Sequence, residues 1–186
     1  LLRDHCTGVW WELDNATIFG LYARLGLGRI NEIRSRLPEA LDDASARGDL
    51  YAEVLLRVQV SWFVRLADDD TAAARRELDV LTERWSAKKF LIQHAWHALN
   101  LTEVELYVGD AERAYKTMRD VWRQLERQLY LRAETMRVRA MNARARAALA
   151  LAATVDGAAR GRLLAEARAL EGRIARERWP LARGFA

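Results

Sequence analysis

Residues 101–120 read LTEVELYVGDAERAYKTMRD. A largely apolar helical segment ends in this stretch, Gly109-Asp110 forms a turn, and a charged segment that contains alanine begins. Glycine ends a helix at little cost because it adopts the left-handed conformation, and aspartate caps the next helix by accepting backbone hydrogen bonds. The stretch therefore predicts two helices joined by a tight turn.

This arrangement recurs four times, with a period of about 40 residues. In each unit a turn opens a charged helix, an aromatic residue follows, and a more apolar helix comes next. The turns lie at residues 26–28, 68–70, 108–110 and 156–157, and the aromatic residues are Tyr51, Phe90, Tyr130 and Trp179. A period in this range predicts an α-solenoid, in which each helix pair buries its apolar face against its neighbours.

The whole chain is therefore expected to be all-α and to form one helical-repeat domain over residues 1–186, cut from a longer protein. No segment alternates between apolar and polar residues as a strand would. About four helix pairs are predicted, at residues 6–47, 50–87, 90–128 and 131–178. Pro38 lies inside the second helix and predicts a kink, or a break into two short helices, because proline removes a backbone hydrogen bond.

The net charge of +4 conceals an asymmetry between the two parts of the chain. Residues 1–110 carry 13 Lys/Arg and 18 Asp/Glu, a balance of −5, whereas residues 111–186 carry 17 and 8, a balance of +9. A basic region can bind nucleic acid or an acidic partner. The alternative is that these arginines only solvate the outer faces of the last helices.

Composition and isolated residues argue against several other classes. Cys6 is the single cysteine, which excludes an internal disulfide framework and favours the reducing cytoplasm. No apolar run approaches the ~18 residues that a membrane span needs. His94 and His97 share a helix face but have no third ligand at a suitable spacing, so neither a metal nor a cofactor is expected.

The odd-numbered predicted helices hold most of the apolar bulk and are expected to line the concave side of the solenoid. Polar and amphipathic groups on them are the candidate binding residues, because a solenoid groove commonly receives a peptide against an aromatic floor. These candidates are Trp11, Glu12, Asn15, Arg57, Gln59, Gln93, His97, Asn100, Arg139 and Asn142. The alternative is that they hydrogen-bond neighbouring helices within the core.

Several short runs carry a family resemblance: CTGVWWELD at 6–14, GDLYA at 48–52, RRELD at 75–79, RW at 84–85, QH at 93–94 and EVELYVGD at 103–110. Together they resemble the C-terminal tetratricopeptide-like region of large bacterial serine/threonine protein kinases and related multidomain signalling ATPases. The resemblance implies a sensory or docking region attached to a signalling domain. The kinase Gly-rich loop, His-Arg-Asp and Asp-Phe-Gly motifs are missing from this sequence, so no catalytic residue is expected.

The sequence thus predicts a non-catalytic regulatory module of a bacterial signalling protein, which binds a protein or peptide on its concave face. Nucleic-acid binding through the basic C-terminal part is one alternative. Head-to-tail self-association, in which the acidic part of one copy meets the basic part of another, is a second. No membrane partner is expected.

Overall fold

Helices are the only regular elements in the part of the chain that the computed structural model describes, which is residues 8–84, 89–178, 182 and 184. The all-α prediction is confirmed over these residues. None of the described helices is long and apolar enough to cross a membrane. Contacts between Cα atoms divide the chain into two compact units, residues 1–87 and 88–186. The single repeat domain over the whole chain stays a prediction.

The N-terminal unit contains the helices α1 (Trp10–Gly26), α2 (Ile30–Ala46), α3 (Leu50–Leu56), α4 (Trp62–Ala67) and α5 (Thr71–Arg84). A π-helical segment, Arg57–Ser61, joins α3 to α4 into one continuous helical run. Successive helices pack against each other, and α1 also packs against α3 and the π-helical segment. Their shared core contains Ile18, Leu21, Ile33, Leu37, Ala44, Ala52, Leu55, Leu56, Val60 and Val64.

The C-terminal unit contains α6 (Ile92–Tyr107), α7 (Ala111–Arg127), a 3-10 turn (Tyr130–Arg132), α8 (Glu134–Ala152) and α9 (Gly157–Ile174). Here α8 packs against α6, α7 and α9, so it is buried on several sides. Alanines make this close packing possible because their short side chains let neighbouring helices approach. The buried alanines of α8 are Ala140, Ala143, Ala145, Ala147, Ala148 and Ala152. Leu149 on the same helix is 50% exposed.

The same turn recurs at four helix ends and confirms the sequence signal at Gly109-Asp110. In each case the residue after the helix has a positive φ: Gly28 at 69°, Gly48 at 66°, Asp69 at 60° and Gly109 at 80°. The next backbone N–H donates to the carbonyl five residues earlier, as in Asp110 N to Glu105 O at 2.9 Å. Side chains then cap the following helix at Asp49, Asp70 and Asp110. These turns therefore satisfy their own backbone groups.

Pro38 does not break α2, which runs as one helix from Ile30 to Ala46. The predicted break into two helices is therefore wrong. Pro38 and Arg34, whose carbonyl loses its usual backbone donor, are both exposed, so water can hydrogen-bond that carbonyl. An exposed position is where a helix tolerates proline at the lowest cost.

The aromatic residues that marked the repeat pack inside the units. Tyr51 packs against the core of the N-terminal unit. The rings of Phe90 and Tyr130, which mark successive repeats, lie with their centroids 6.1 Å apart. Trp179 lies outside the described residues. These rings thus contribute to packing between helix pairs.

The π-helical segment leads to a stability prediction at Ser61. Its Oγ is buried and has no hydrogen-bond partner among the protein groups of the described residues. Because a buried hydroxyl without a partner is unfavourable, Ser61→Ala is expected to raise the free energy of unfolding by about 1 kcal/mol. Urea unfolding measures the change. The exposed Ser45→Ala is the matched control, and a loss of stability in Ser61→Ala would show that the hydroxyl has a partner.

Candidate functional site

Three predicted binding residues lie near the start of α1. Trp11 and Glu12 are exposed, and Asn15 is half-buried. The Asn15 side-chain amide donates to the Trp11 carbonyl at 2.7 Å, one helical turn earlier. Trp11 and Glu12 are therefore accessible to a partner, whereas the amide of Asn15 already has a backbone acceptor.

Arg57, a further predicted binding residue, is engaged in an ion-pair cluster of the N-terminal unit. Its Nη1 lies 2.6 Å from Glu77 Oε2 and its Nε lies 3.2 Å from Glu53 Oε1. Both carboxylates are buried, and Arg65 and Arg84 also contact them, at 3.3 Å and 2.8 Å. These pairs raise the pKa of Arg57 despite the opposing effect of burial. Arg57 therefore neutralises buried charge within its own unit.

The predicted residues of the C-terminal unit are mostly interior. Gln93 and Asn100 are buried, as is Gln59 of the N-terminal unit, while His97, Arg139 and Asn142 are half-buried. The structure joins two of them, since Arg139 Nη2 donates to Asn100 Oδ1 at 3.2 Å. The Arg139 guanidinium also lies over the ring of Trp96, 4.7 Å from its centroid. These contacts connect α6 to α8 and leave little side-chain surface for a ligand. One groove lined by all ten predicted residues stays a prediction.

The two histidines weighed as metal ligands have separate surroundings. His94 Nδ1 accepts from the Leu91 N–H at 3.0 Å and so caps the start of α6. Among the residues that the structure describes, no three or more His, Cys, Asp or Glu are grouped to hold a metal ion.

The arginines of α8 are paired within the C-terminal unit. Arg137 contacts Glu177 at 2.5 Å, Arg144 contacts Glu166 at 2.5 Å, and Arg146 contacts Glu103 at 2.6 Å. The Arg144 guanidinium also lies 4.4 Å from the centroid of the Trp122 ring. Arg137 donates as well to the carbonyls of Leu131 and Arg132. The positive charge of this helix therefore serves packing between helices, which weakens the nucleic-acid alternative.

Glu166 leads to a prediction about the ionisation of Tyr115. Burial raises the pKa of Tyr115 above its ordinary value of 10, and its hydrogen bond to Glu166, 2.7 Å long, raises it further. Glu166→Ala is therefore expected to lower that pKa without returning it to the ordinary value, because the burial remains. An ultraviolet titration of the phenolate measures it, with Tyr115→Phe to assign the signal. An unchanged pKa in Glu166→Ala would contradict the prediction.

A groove between α1 and α2 is one concave feature of the N-terminal unit, and sequence reasoning missed it. Its volume is about 370 Å³. Residues on one face of α1 and one face of α2 line it, together with two from α3: Trp10, Leu13, Asp14, Ala16, Thr17, Ile18, Gly20, Leu21, Arg24, Arg36, Glu39, Ala40, Asp43, Ala52 and Leu56. The groove is thus apolar at its centre and charged along its edges.

Trp10 and Arg47 mark one end of this groove. The Arg47 guanidinium lies 4.8 Å from the centroid of the Trp10 ring and makes ion pairs with Asp14 at 2.6 Å, Asp43 at 3.2 Å and Asp49 at 3.3 Å. Three carboxylates around one guanidinium leave an excess of two negative charges. The hydrogen bonds that the Arg47 guanidinium donates to Asp14 are the main reason that the pKa of Arg47 is raised. This end of the groove therefore combines an aromatic ring with negative charge.

Three exposed aromatic residues lie on α1, and one of them lines the groove. Trp10 is 50% exposed and lies at one end of the groove. Trp11 and Phe19 are 64% and 63% exposed on the same helix but do not line the groove. The signal that could have revealed the surface is the excess of apolar residues on α1, because Ile18 and Leu21 already supply its buried side. Large exposed aromatic residues on one helix are unusual unless they serve binding.

Comparison with protein-family models gave no match, and neither the curated proteins nor the solved structures gave a significant one. The function is therefore inferred from the chemistry of this chain alone.

Proposed function

We propose that this chain is a non-catalytic protein-interaction module that binds a helical segment of a partner protein in the groove between α1 and α2. The observation that carries the proposal is a groove along α1 and α2 that has the half-exposed ring of Trp10 at one end and Leu13 and Ala40 among its apolar lining. Tryptophan and tyrosine anchors dominate the energy of protein interfaces, and an amphipathic helix laid into an apolar groove is a recurring mode of recognition.

The charges around the groove favour a protein segment over a small polar substrate. Asp14 and Asp43 are engaged by Arg47, and Arg24 is engaged by Glu32 at 3.1 Å. Such paired groups form the polar part of the lining, while Leu13, Ala16 and Ala40 contribute apolar surface. An apolar centre with a polar rim is the anatomy of a protein interface.

The architecture proposed for this module is the tetratricopeptide-like α-solenoid that the repeat predicts. Two features support it. Within the C-terminal unit α6 packs against α8, the element two places further along the chain, and the turns at Gly28, Gly48, Asp69 and Gly109 share one geometry. The role as a regulatory region of a bacterial signalling protein, and a cytoplasmic location, are further proposals that rest on the sequence resemblance and composition.

Selection from a displayed library of amphipathic helical peptides tests the groove. Recovered peptides are titrated against the chain by fluorescence anisotropy. Ala16 is exposed and lines the groove, so Ala16→Arg is expected to weaken their binding at least ~10-fold by filling it. Ala23 is exposed on the same helix but does not line the groove, so Ala23→Arg is the matched control and should leave binding unchanged.

Two results would overturn this proposal. One is that no peptide is enriched over an unrelated helical protein. The other is that the enriched peptides bind Ala16→Arg as tightly as they bind the unaltered chain. Circular dichroism of both variants confirms that an added arginine has not unfolded α1.

A further inference from the structure

We infer that the occupant of the groove between α1 and α2 is α9 of a second copy of this chain, so that the protein self-associates head to tail. The inference rests on the proposed function, because it uses the same groove and names its partner. It is carried by the charge and shape of two exposed surfaces, one in each unit.

The first surface is the outward face of α9. Its buried side is formed by Leu163, Ala167, Leu170 and Ile174, which pack within the C-terminal unit. On the opposite side small residues and arginines are exposed or half-exposed at helical spacing: Gly161, Arg162, Ala165, Ala169, Gly172 and Arg173. We call this set the α9 ridge. It combines positive charge with short side chains, so the surface of a second helix can approach its backbone.

The arginines of the α9 ridge differ from those of α8. Whereas Arg137, Arg144 and Arg146 form ion pairs at 2.5–2.6 Å, the ridge arginines have no ion pair within 4.0 Å among the described residues. Their charge is thus available to an acidic partner. Positions 161 and 172 also have open space where a Cβ atom would lie, so packing within this chain does not require glycine there.

The second surface is the groove itself, whose Trp10 end carries the complementary charge. Asp14, Asp43 and Asp49 leave an excess of two negative charges around Arg47. Further along the rim, the exposed Glu39 and Arg36 carry opposite charges, and Arg24 is paired with Glu32. The exposed ring of Trp10 at this end favours a partner that offers small side chains beside it. The α9 ridge offers both the cations and the small side chains.

Contacts within each unit show the chemistry that such a docking would use. Guanidinium groups lie over tryptophan rings at Arg47–Trp10, Arg139–Trp96 and Arg144–Trp122, with distances of 4.8, 4.7 and 4.4 Å to the ring centroids. An arginine from the ridge can stack in the same way on the exposed part of the Trp10 ring, which lines the groove. Stacking of this kind keeps the arginine available to a carboxylate at its edge.

The contact joins two different surfaces, so it is heterologous, and each copy keeps a free groove and a free ridge after pairing. Larger species than dimers are therefore expected as concentration rises. Because the contact pairs exposed charges, salt must weaken it.

Sedimentation velocity of the unaltered chain, from about 1 to 200 µM at low and at high salt, tests the inference. The average mass should rise with concentration at low salt and should fall back to the monomer at high salt. Ala16→Arg blocks the groove, and the double variant Arg162→Glu with Arg173→Glu reverses the ridge. Each is expected to weaken association at least ~10-fold, whereas Arg160→Glu, which alters an exposed arginine of the same helix outside the ridge, should not.

Mixing the two blocked chains gives the sharpest result. The groove of the ridge-reversed copy is intact and so is the ridge of the Ala16→Arg copy, so an equimolar mixture should form a 1:1 complex that stops at the dimer. A mixture that stays monomeric while the unaltered chain associates would overturn the inference.

A monomer at every concentration in low salt would also overturn the inference, yet it would leave the peptide titration of the groove untouched. Conversely, association that persists in Ala16→Arg would place the contact elsewhere, whatever the peptides do. Failure of this inference and failure of the proposed function are thus distinguishable.

Discussion

Replacing Arg57 by methionine is expected to lower the free energy of unfolding of the N-terminal unit by about 3 kcal/mol. The guanidinium lies between Glu53 and Glu77, two buried carboxylates on different helices, and contacts both. Without it, Glu53 keeps its ion pair with Arg84, and Glu77 keeps its ion pair with Arg65. Both of these arginines are more exposed than Arg57, and the contact from Arg65 to Glu77 is also longer. Methionine keeps most of the apolar stem, so the loss comes from uncompensated buried charge.

Native-state hydrogen exchange of the amides in α3 and α5 measures this loss within the N-terminal unit, and urea unfolding gives the global value. Arg76 is exposed and lines a polar depression together with Arg57, Glu53 and Glu77. Arg76→Met is therefore the matched control and should change stability by less than about 0.5 kcal/mol. Equal effects of the two substitutions would contradict the assigned role of Arg57. Weaker binding by an Arg57 variant would therefore reflect the loss of stability, and stability must be measured before the effect is attributed to recognition.

Truncating Leu99 to alanine is expected to lower the free energy of unfolding of the C-terminal unit by about 3 kcal/mol. Leu99 is 2% exposed and packs on α6 against a cluster that includes Met118, Leu125 and Met136. The cost combines the lost burial of the side chain with the cavity that remains, since three helices hold the walls of the site in place. Amide exchange in α6, α7 and α8 is the unit-specific measurement.

Leu149→Ala provides the comparison for Leu99, because Leu149 is also helical but is 50% exposed. Its truncation should cost less than about 1 kcal/mol, since much of its side chain is already in water. A large effect at Leu149 and a small one at Leu99 would mean that the core of this unit is packed differently.

Local signals predicted the helices and the turns between them well. Glycine or aspartate at residues 28, 48, 69 and 109 has the left-handed conformation, and the aspartate at 49, 70 or 110 caps the next helix. These features depend on a few adjacent residues, which is why the sequence reveals them. The prediction of a break at Pro38 was wrong because the energetic cost of a proline inside a helix depends on the exposure of the carbonyl that loses its donor. That exposure depends on tertiary packing, which local sequence does not reveal.

Contacts between residues far apart in the sequence could not be predicted in this way. The pairing of Arg84 with Glu53 spans 31 positions, and that of Arg47 with Asp14 spans 33. No local pattern distinguishes a paired arginine from a solvated one, so Arg57 was interpreted as a binding residue. The π-helical segment from Arg57 to Ser61 was also missed, because its sequence fits an ordinary apolar helix.

The recurring turn has a consequence for how this chain can change in length. At Gly28, Gly48, Asp69 and Gly109 the backbone reversal is completed by hydrogen bonds among the turn and the helix that it ends. A helical hairpin bounded by two such turns can therefore be duplicated, lost or exchanged while the neighbouring hairpins keep both of their ends intact. The number of helical hairpins can therefore differ between this chain and proteins that descend from it.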